Sequence, residues 1–227
     1  GMHGLTQNIV HLVLAKLEIS GEKDALAWFI VPQNLDENGK PISNNITVES
    51  CQKPVGLEGV PFCTLNFGNA GTTKGELLCK TGDGAEDLYQ YLNGVRFETS
   101  LQSVALSNLV LQQVIKFACS EKRTISPLEG ASNKRPSISL ASYPHIADHL
   151  MFIKSVSEGL RAAVYSISFF DDCSAHGGKE QIEFFSDLKD FYTGILKVYA
   201  TVNGLRSVRK AIQVFGRDSI TQGFVTD

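Results

Sequence analysis

No run in the 227 residues reaches the roughly 18 consecutive apolar positions that a membrane-spanning helix needs. The N-terminus shows no cationic segment leading into a hydrophobic run and a small-residue cleavage site, so no secretory leader is expected. Basic character is scarce too. The 21 Lys and Arg residues are scattered among 24 acidic ones, for a formal charge of -3, which is not the footprint of a nucleic-acid binder. Their densest group, Glu121-Lys122-Arg123, reads as a solvated helix end. There is no CxxC pair. The five cysteines (Cys51, Cys63, Cys79, Cys119, Cys173) are odd in number and widely spaced, a pattern of reduced thiols and a cytoplasmic protein. Internal repeats, low-complexity tracts, phosphate-binding loops of the Walker type and G-x-S-x-G elbows are all missing. Gly1-Met2 reads as a tag-cleavage residue before an initiator methionine and is set aside.

What is there divides by period. Up to about Lys80 the sequence is written in short β-type runs. Ile9–Ala15 and Leu26–Val31 are rich in β-branched and apolar residues, and Pro32 closes the second. A polar stretch from Asn34 to Asn45, dense in turn formers, reads as a loop. Ile46–Ser50 alternates with period two and sets Ile46 and Val48 on one face. Phe62–Phe67 alternates as well, burying either Phe62 or Cys63 with its same-parity neighbours. Glu76–Cys79 is a short last run. About five strands in such order predict an antiparallel sheet or partial barrel.

Beyond Gly84 the period becomes helical. From Ala85 to Lys122 there is no proline, and Gly94 is the one interior glycine. Leu88, Leu92, Val95, Leu101, Val104 and Leu109 recur at three- and four-residue steps, with Asp83 suited to the N-cap. Arg123–Tyr143, with Pro127, Gly130 and Pro136, reads as an excursion longer than an ordinary connection. Pro144 can occupy a first helical turn. A second helix over Ala147–Phe170 follows, then a break at Asp171–Gly178. A third helical stretch spans Glu180–Phe215, open to interruption at Gly194 and Gly204. Helices this long need antiparallel neighbours, which predicts a bundle of the four-helix type. The fold class is therefore α+β: a partial β domain over residues 7–80 and a helical domain over 83–227.

Two groups invite a metal reading. Asp171, Asp172, Cys173 and His176 lack a ligand spacing, and His145 and His149, at i and i+4, lack the glutamate of the HExxH arrangement. No metal site is assigned.

Several phrases are more specific than periodicity. They are Thr6–Lys16, Ala27–Pro32, Lys53-Pro54-Val55-Gly56-Leu57-Glu58-Gly59-Val60-Pro61, Asn93-Gly94-Val95-Arg96, His145–Asp148, Ser157-Glu158-Gly159-Leu160-Arg161-Ala162 and Gln213-Val214-Phe215-Gly216. In this order they resemble segments of the acyl-CoA dehydrogenase family, in the branch with methylmercaptopropionyl-CoA dehydrogenases. The resemblance covers nearly the whole chain and implies a version of the family's fold shortened at both ends.

The resemblance implies FAD as cofactor, an acyl-CoA thioester as substrate and α,β-dehydrogenation as the reaction, in which a carboxylate takes the α-proton and the flavin a hydride. It further implies that Asn93 and Arg96 face the substrate on the first long helix. Gln213 and Gly216 would meet the flavin's diphosphate, where a glycine lets backbone come close to phosphate. This chain has Arg217 where the family has a second glycine. A family arginine that meets the partner subunit's flavin aligns with Glu121, and a small shift brings in Lys122 or Arg123; Arg123 is taken as the cofactor residue. The family's usual glutamate segment lies beyond Asp227. An alternative base position is occupied by Val95, and Glu98 points about 200° round the helix from Arg96. No catalytic base is assigned. The family implies a homodimer or homotetramer. Two functions follow: a flavoenzyme and, as the alternative, a flavin-free assembly or interaction protein that keeps the fold, or one part of a split enzyme.

Overall fold

The computed structural model describes residues 4–19, 22–57, 59–78, 84–124 and 137–220. Asp83, Cys79 and the stretch with Pro127, Gly130 and Pro136 lie outside the described residues. The chain divides into two compact units, residues 1–91 and 92–227.

In the first unit, β1 (Val10–Ile19) pairs antiparallel with β2 (Glu22–Pro32) over their whole length, from Val10 opposite Pro32 to Ile19 opposite Glu22. The segment 34–45 is not a loop. It forms a hairpin of β3 (Asn34–Glu37) and β4 (Lys40–Ser43). The reason is local: Asn38 and Gly39 both hold positive φ, 58° and 78°, the backbone of the two-residue turn whose twist suits a hairpin. The Asp36 carboxylate accepts the Gly39 N–H at 2.8 Å and fixes that turn. A second hairpin joins β5 (Ile46–Gln52) to β6 (Phe62–Phe67). Within it Ile46 and Cys63 are buried, whereas Val48 and Phe62 are exposed, so the Cys63 parity faces inward. A short β7 (Glu76–Leu77) completes a three-stranded sheet in the order β1-β2-β7.

Two buried groups tie these pieces together. Trp28, with Ala27 and Val31 nearby on β2, meets the Tyr91 ring edge-on at 6.0 Å. Asn44 is fully buried between the two hairpins. Its side-chain amide donates to the carbonyls of Pro32 and Lys74, both at 2.7 Å, and its carbonyl accepts the Lys74 N–H at 2.8 Å.

Three long helices follow among the described residues: α1 (Gly84–Ser120), α2 (Pro144–His176) and α3 (Lys179–Phe215). Pro144 opens α2 at a position whose N–H needs no helical partner. The helix does not break at Asp171 but continues to His176, where the Gly177 N–H closes the last turn on the Cys173 carbonyl at 2.9 Å. α3 starts at once, so α2 and α3 form an αα-hairpin. Neither Gly194 nor Gly204 interrupts α3. A mid-helix glycine costs about 1 kcal/mol; Gly204 faces Ser103 and Ser107 on α1, and a Cβ there would make an ordinary contact, 3.5 Å from the Ser103 Cβ.

The ends of the 123–143 excursion pair as β8 (Lys122–Thr124) and β9 (Ser137–Ser139). The Ser139 hydroxyl donates to the Ala118 carbonyl at 2.8 Å and so caps the end of α1.

Two apolar clusters fill the bundle. One joins Val110, Val114 and Ala118 to Ile146, Ile153, Ala211, Val214 and Phe215. The other joins Val156, Leu160, Val164 and Ile167 to Leu196 and Ala200. α3 has a second apolar face opposite this one: Phe191, Ile195, Val198, Val202 and Leu205 recur at four- and three-residue steps and are exposed, Phe191 by 64%. No helix among the described residues is long and apolar enough to cross a membrane.

Candidate functional site

In the second unit, α1 and α3 carry a linked polar group about three turns from their starts. The Arg96 guanidinium donates to the Asn93 side-chain carbonyl at 2.7 Å, three residues and one turn back. The Asn93 amide in turn donates to the Asp190 carboxylate on α3 at 3.1 Å. Asn93 is 7% exposed and Arg96 half-buried. The chain Arg96–Asn93–Asp190 thus spends both ends of one amide on two charges of opposite sign. This is a geometry that orients Arg96 and holds α1 to α3 at the same time. Replacing Asn93 with Ala is expected to lower stability by about 2 kcal/mol, the scale of hydrogen bonds to charged groups. Urea denaturation of the variant checks it.

Val95 is exposed on the adjoining face, and its carbonyl accepts the Thr99 hydroxyl at 2.8 Å. Glu98 is exposed.

The other expected residues gather at the far end of the bundle. Arg123 is exposed on β8, and its carbonyl accepts the Tyr143 hydroxyl at 3.4 Å. Gln213 is exposed on the last turn of α3. Gly216 follows with φ 63°, the left-handed region that favours glycine, and with open space where a Cβ would stand. Arg217 beside it is exposed. These termini belong to one end of the bundle because Phe117 near the end of α1 meets Phe215 at the end of α3, ring centroids 5.1 Å apart. From Asn93 to Phe117 the helix rises about 36 Å at 1.5 Å per residue. The structure therefore brings Asn93 and Arg96 together, gathers Arg123, Gln213 and Gly216 at one end, and separates the two groups by most of the length of α1.

The metal candidates are used otherwise. The His149 Nδ1 lies 3.2 Å from the Lys210 Nζ, His145 stacks edge-on against Tyr143, and Asp171 pairs with Lys189 at 3.0 Å. No group of three or more potential ligands occurs among the described residues. Glu158 and Arg161 of the E-G-x-R-A phrase form an exposed ion pair one turn apart on α2.

Two features escaped sequence reasoning. Asp190 is 97 residues from Asn93, and no local signal links them. An apolar groove of about 370 Å³ runs between α2 and α3, lined by Phe170, Tyr192, Ile195 and Tyr199 among others. The recurring aromatics of α3 were its one visible sign.

A short antiparallel β region followed by a bundle of very long helices is the architecture of acyl-CoA dehydrogenases. Compared with solved structures, the chain superposes on butyryl-CoA dehydrogenase from Megasphaera elsdenii with a TM-score of 0.70 at 18% identity, covering 98% of this chain and 50% of that one. In sequence it is 23% identical over 219 residues to 3-methylmercaptopropionyl-CoA dehydrogenase of Ruegeria pomeroyi, 95% of this chain and 36% of that protein. It is 25% identical over 218 residues to a butyryl-CoA dehydrogenase of Syntrophomonas wolfei, 92% of this chain and 35% of that protein. No family model matches the chain. In sequence and in fold the chain is similar to members of the acyl-CoA dehydrogenase family. It spans about a third of the length of the curated relatives it matches.

Proposed function

We propose that the chain supplies the β region and helical bundle of an FAD-dependent acyl-CoA dehydrogenase-type flavoprotein, acting on an acyl-CoA thioester. The observation that carries this reading is the Arg96–Asn93–Asp190 group, which fixes a guanidinium at the position where the family phrase expects one. Arg96 is the substrate-facing residue of this proposal. Asn93, with its amide spent on two side chains, is a positioning residue that acts through Arg96.

The far end of the bundle fits the phosphates of FAD. Gly216 leaves its backbone open to approach, and Gln213, Arg217 and Arg123 are exposed donors of the kind that phosphate oxygens accept. Bound FAD supplies the hydride acceptor of the family's dehydrogenation. The second apolar face of α3, from Phe191 to Leu205, favours self-association into a homodimer or homotetramer.

The test is a thermal-shift titration of the purified chain with FAD and with an acyl-CoA. A ligand at a hundredfold excess over its dissociation constant should stabilise the protein by about 2.7 kcal/mol. Arg96→Gln should lose the acyl-CoA response and keep that to FAD. No flavin absorbance and no shift with either ligand would defeat the reading.

One observation favours a second reading, a flavin-free assembly protein or one part of a split enzyme. Val95 stands where an alternative base would be, and its side chain cannot take a proton. Dehydrogenation by this chain alone, in an electron-acceptor assay, would exclude it. Co-purification with a complementing chain would select the split-enzyme form.

A further inference from the structure

Cys51 and Cys63 lie directly opposite one another in the β5–β6 hairpin. In an antiparallel pair, residues so placed point to the same face of the sheet, with Cα atoms about 4.5 or 5.5 Å apart according to the pairing type. A disulfide spans Cα separations of about 4.4–6.8 Å, a range that holds both pairing types. The Cys51 side chain is near enough to act on the Cys63 thiol. Both are reduced in this structure.

Their surroundings differ. Cys51 is exposed, whereas Cys63 is 3% exposed. Gly4 covers Cys63 so closely that a Cβ on it would lie 2.9 Å from the Cys63 Cβ and 3.2 Å from its Sγ. Burial pushes the Cys63 thiol up, and the hydrogen bond and charge of Cys51 push it the same way. One sulfur can thus meet a reagent in solution, and the other can meet only the first sulfur.

We infer that Cys51 and Cys63 form a redox modification site, closed to a cross-strand disulfide by a low-molecular-weight disulfide such as oxidised glutathione. The Cys51 thiolate attacks one sulfur of the oxidant, making a mixed disulfide and releasing one thiolate. Cys63 gives up its proton and its sulfur attacks the Cys51 sulfur, breaking the mixed disulfide and releasing the second thiolate. Two protein thiols are oxidised, one small disulfide is reduced to two thiols, and the two protons end on those thiols or in water. The bond closes the segment that carries the Lys53–Pro61 phrase and ties both strands at its base.

The experiment treats the full chain with excess oxidised glutathione under native conditions, then measures intact mass and maps peptides without reduction. The expected result is a loss of two hydrogens, a single peptide cross-link between Cys51 and Cys63, and full reversal by dithiothreitol. Cys63→Ala should instead accumulate one glutathione adduct on Cys51. Cys51→Ser, altered at an exposed position, should fold and leave Cys63 unmodified in the native state. A wild-type chain that stops at the Cys51 adduct, links Cys51 to another cysteine or does not react overturns the inference. So does glutathione attached to Cys63 in folded Cys51→Ser.

Discussion

Replacing Asn44 with Ala is expected to lower the stability of the β unit by about 2 kcal/mol, since it removes a buried side chain that bonds three partly buried backbone groups. The side chain makes three short bonds, two as donor to the Pro32 and Lys74 carbonyls and one as acceptor from the Lys74 N–H. Alanine leaves all three groups without their partner. Asn44→Asp keeps the acceptor but brings a carboxylate against two carbonyl oxygens, so at neutral pH it should cost more than Ala. Urea denaturation followed by Trp28 fluorescence reads the effect where it occurs. Trp28 is the one tryptophan of the chain and lies in the same unit, four residues from Pro32. A loss under about 0.5 kcal/mol, the range of ordinary surface changes, would refute the hub role of Asn44.

A loss of about 3 to 4 kcal/mol is expected for Leu160→Ala at the centre of α2. Leu160 is 0% exposed and packs with Val156, Val164, Ile167, Leu196 and Ala200. Truncation removes its transfer free energy and leaves a cavity that three rigid helices cannot collapse. Far-UV circular dichroism during denaturation should show the helical transition moving to lower denaturant. The matching change at Leu101, which is 42% exposed, should move it little. Equal effects at the two positions would mean that the second cluster is not the bundle's core.

These two sites mark where sequence reasoning reached and where it stopped. The buried stripe of α2 could be read directly, because Ile153, Val156, Leu160, Val164 and Ile167 repeat at helical steps and nothing tertiary competes. The runs that become β1 and β2 were legible as strands from their β-branched residues, while their pairing came from the fold. Asn44 was invisible in a polar stretch, since its burial is set by Lys74, thirty residues on. The Asn38-Gly39 turn was legible as turn chemistry, yet the polar residues around it outweighed the hairpin signal. Helix ends failed where local rules met packing: Asp171–His176 looks like a break but stays helical. Along α3 two apolar faces point in opposite directions, so the residues show helix without showing which side is buried. The candidate site was legible only in its local half. Asn93 and Arg96 are one turn apart, whereas Asp190 arrives through the fold.

The Gly177-Gly178 junction also sets an order of assembly. With so short a connection, α2 and α3 zip together as a local hairpin, and the chain entropy lost in bringing them face to face is small. Seating α1 is different, because the shortest described link from its end, Ala118 to Ser139, spans 21 residues. Relative to a loop of about three residues this is roughly three doublings of length, an added closure cost of about 2 kcal/mol at 0.6 kcal/mol each. Contacts of such separation slow folding. The α2–α3 hairpin is therefore expected to form before α1 docks through the polar group that orients Arg96, so substitutions within the hairpin should slow folding and Asn93→Ala should chiefly speed unfolding.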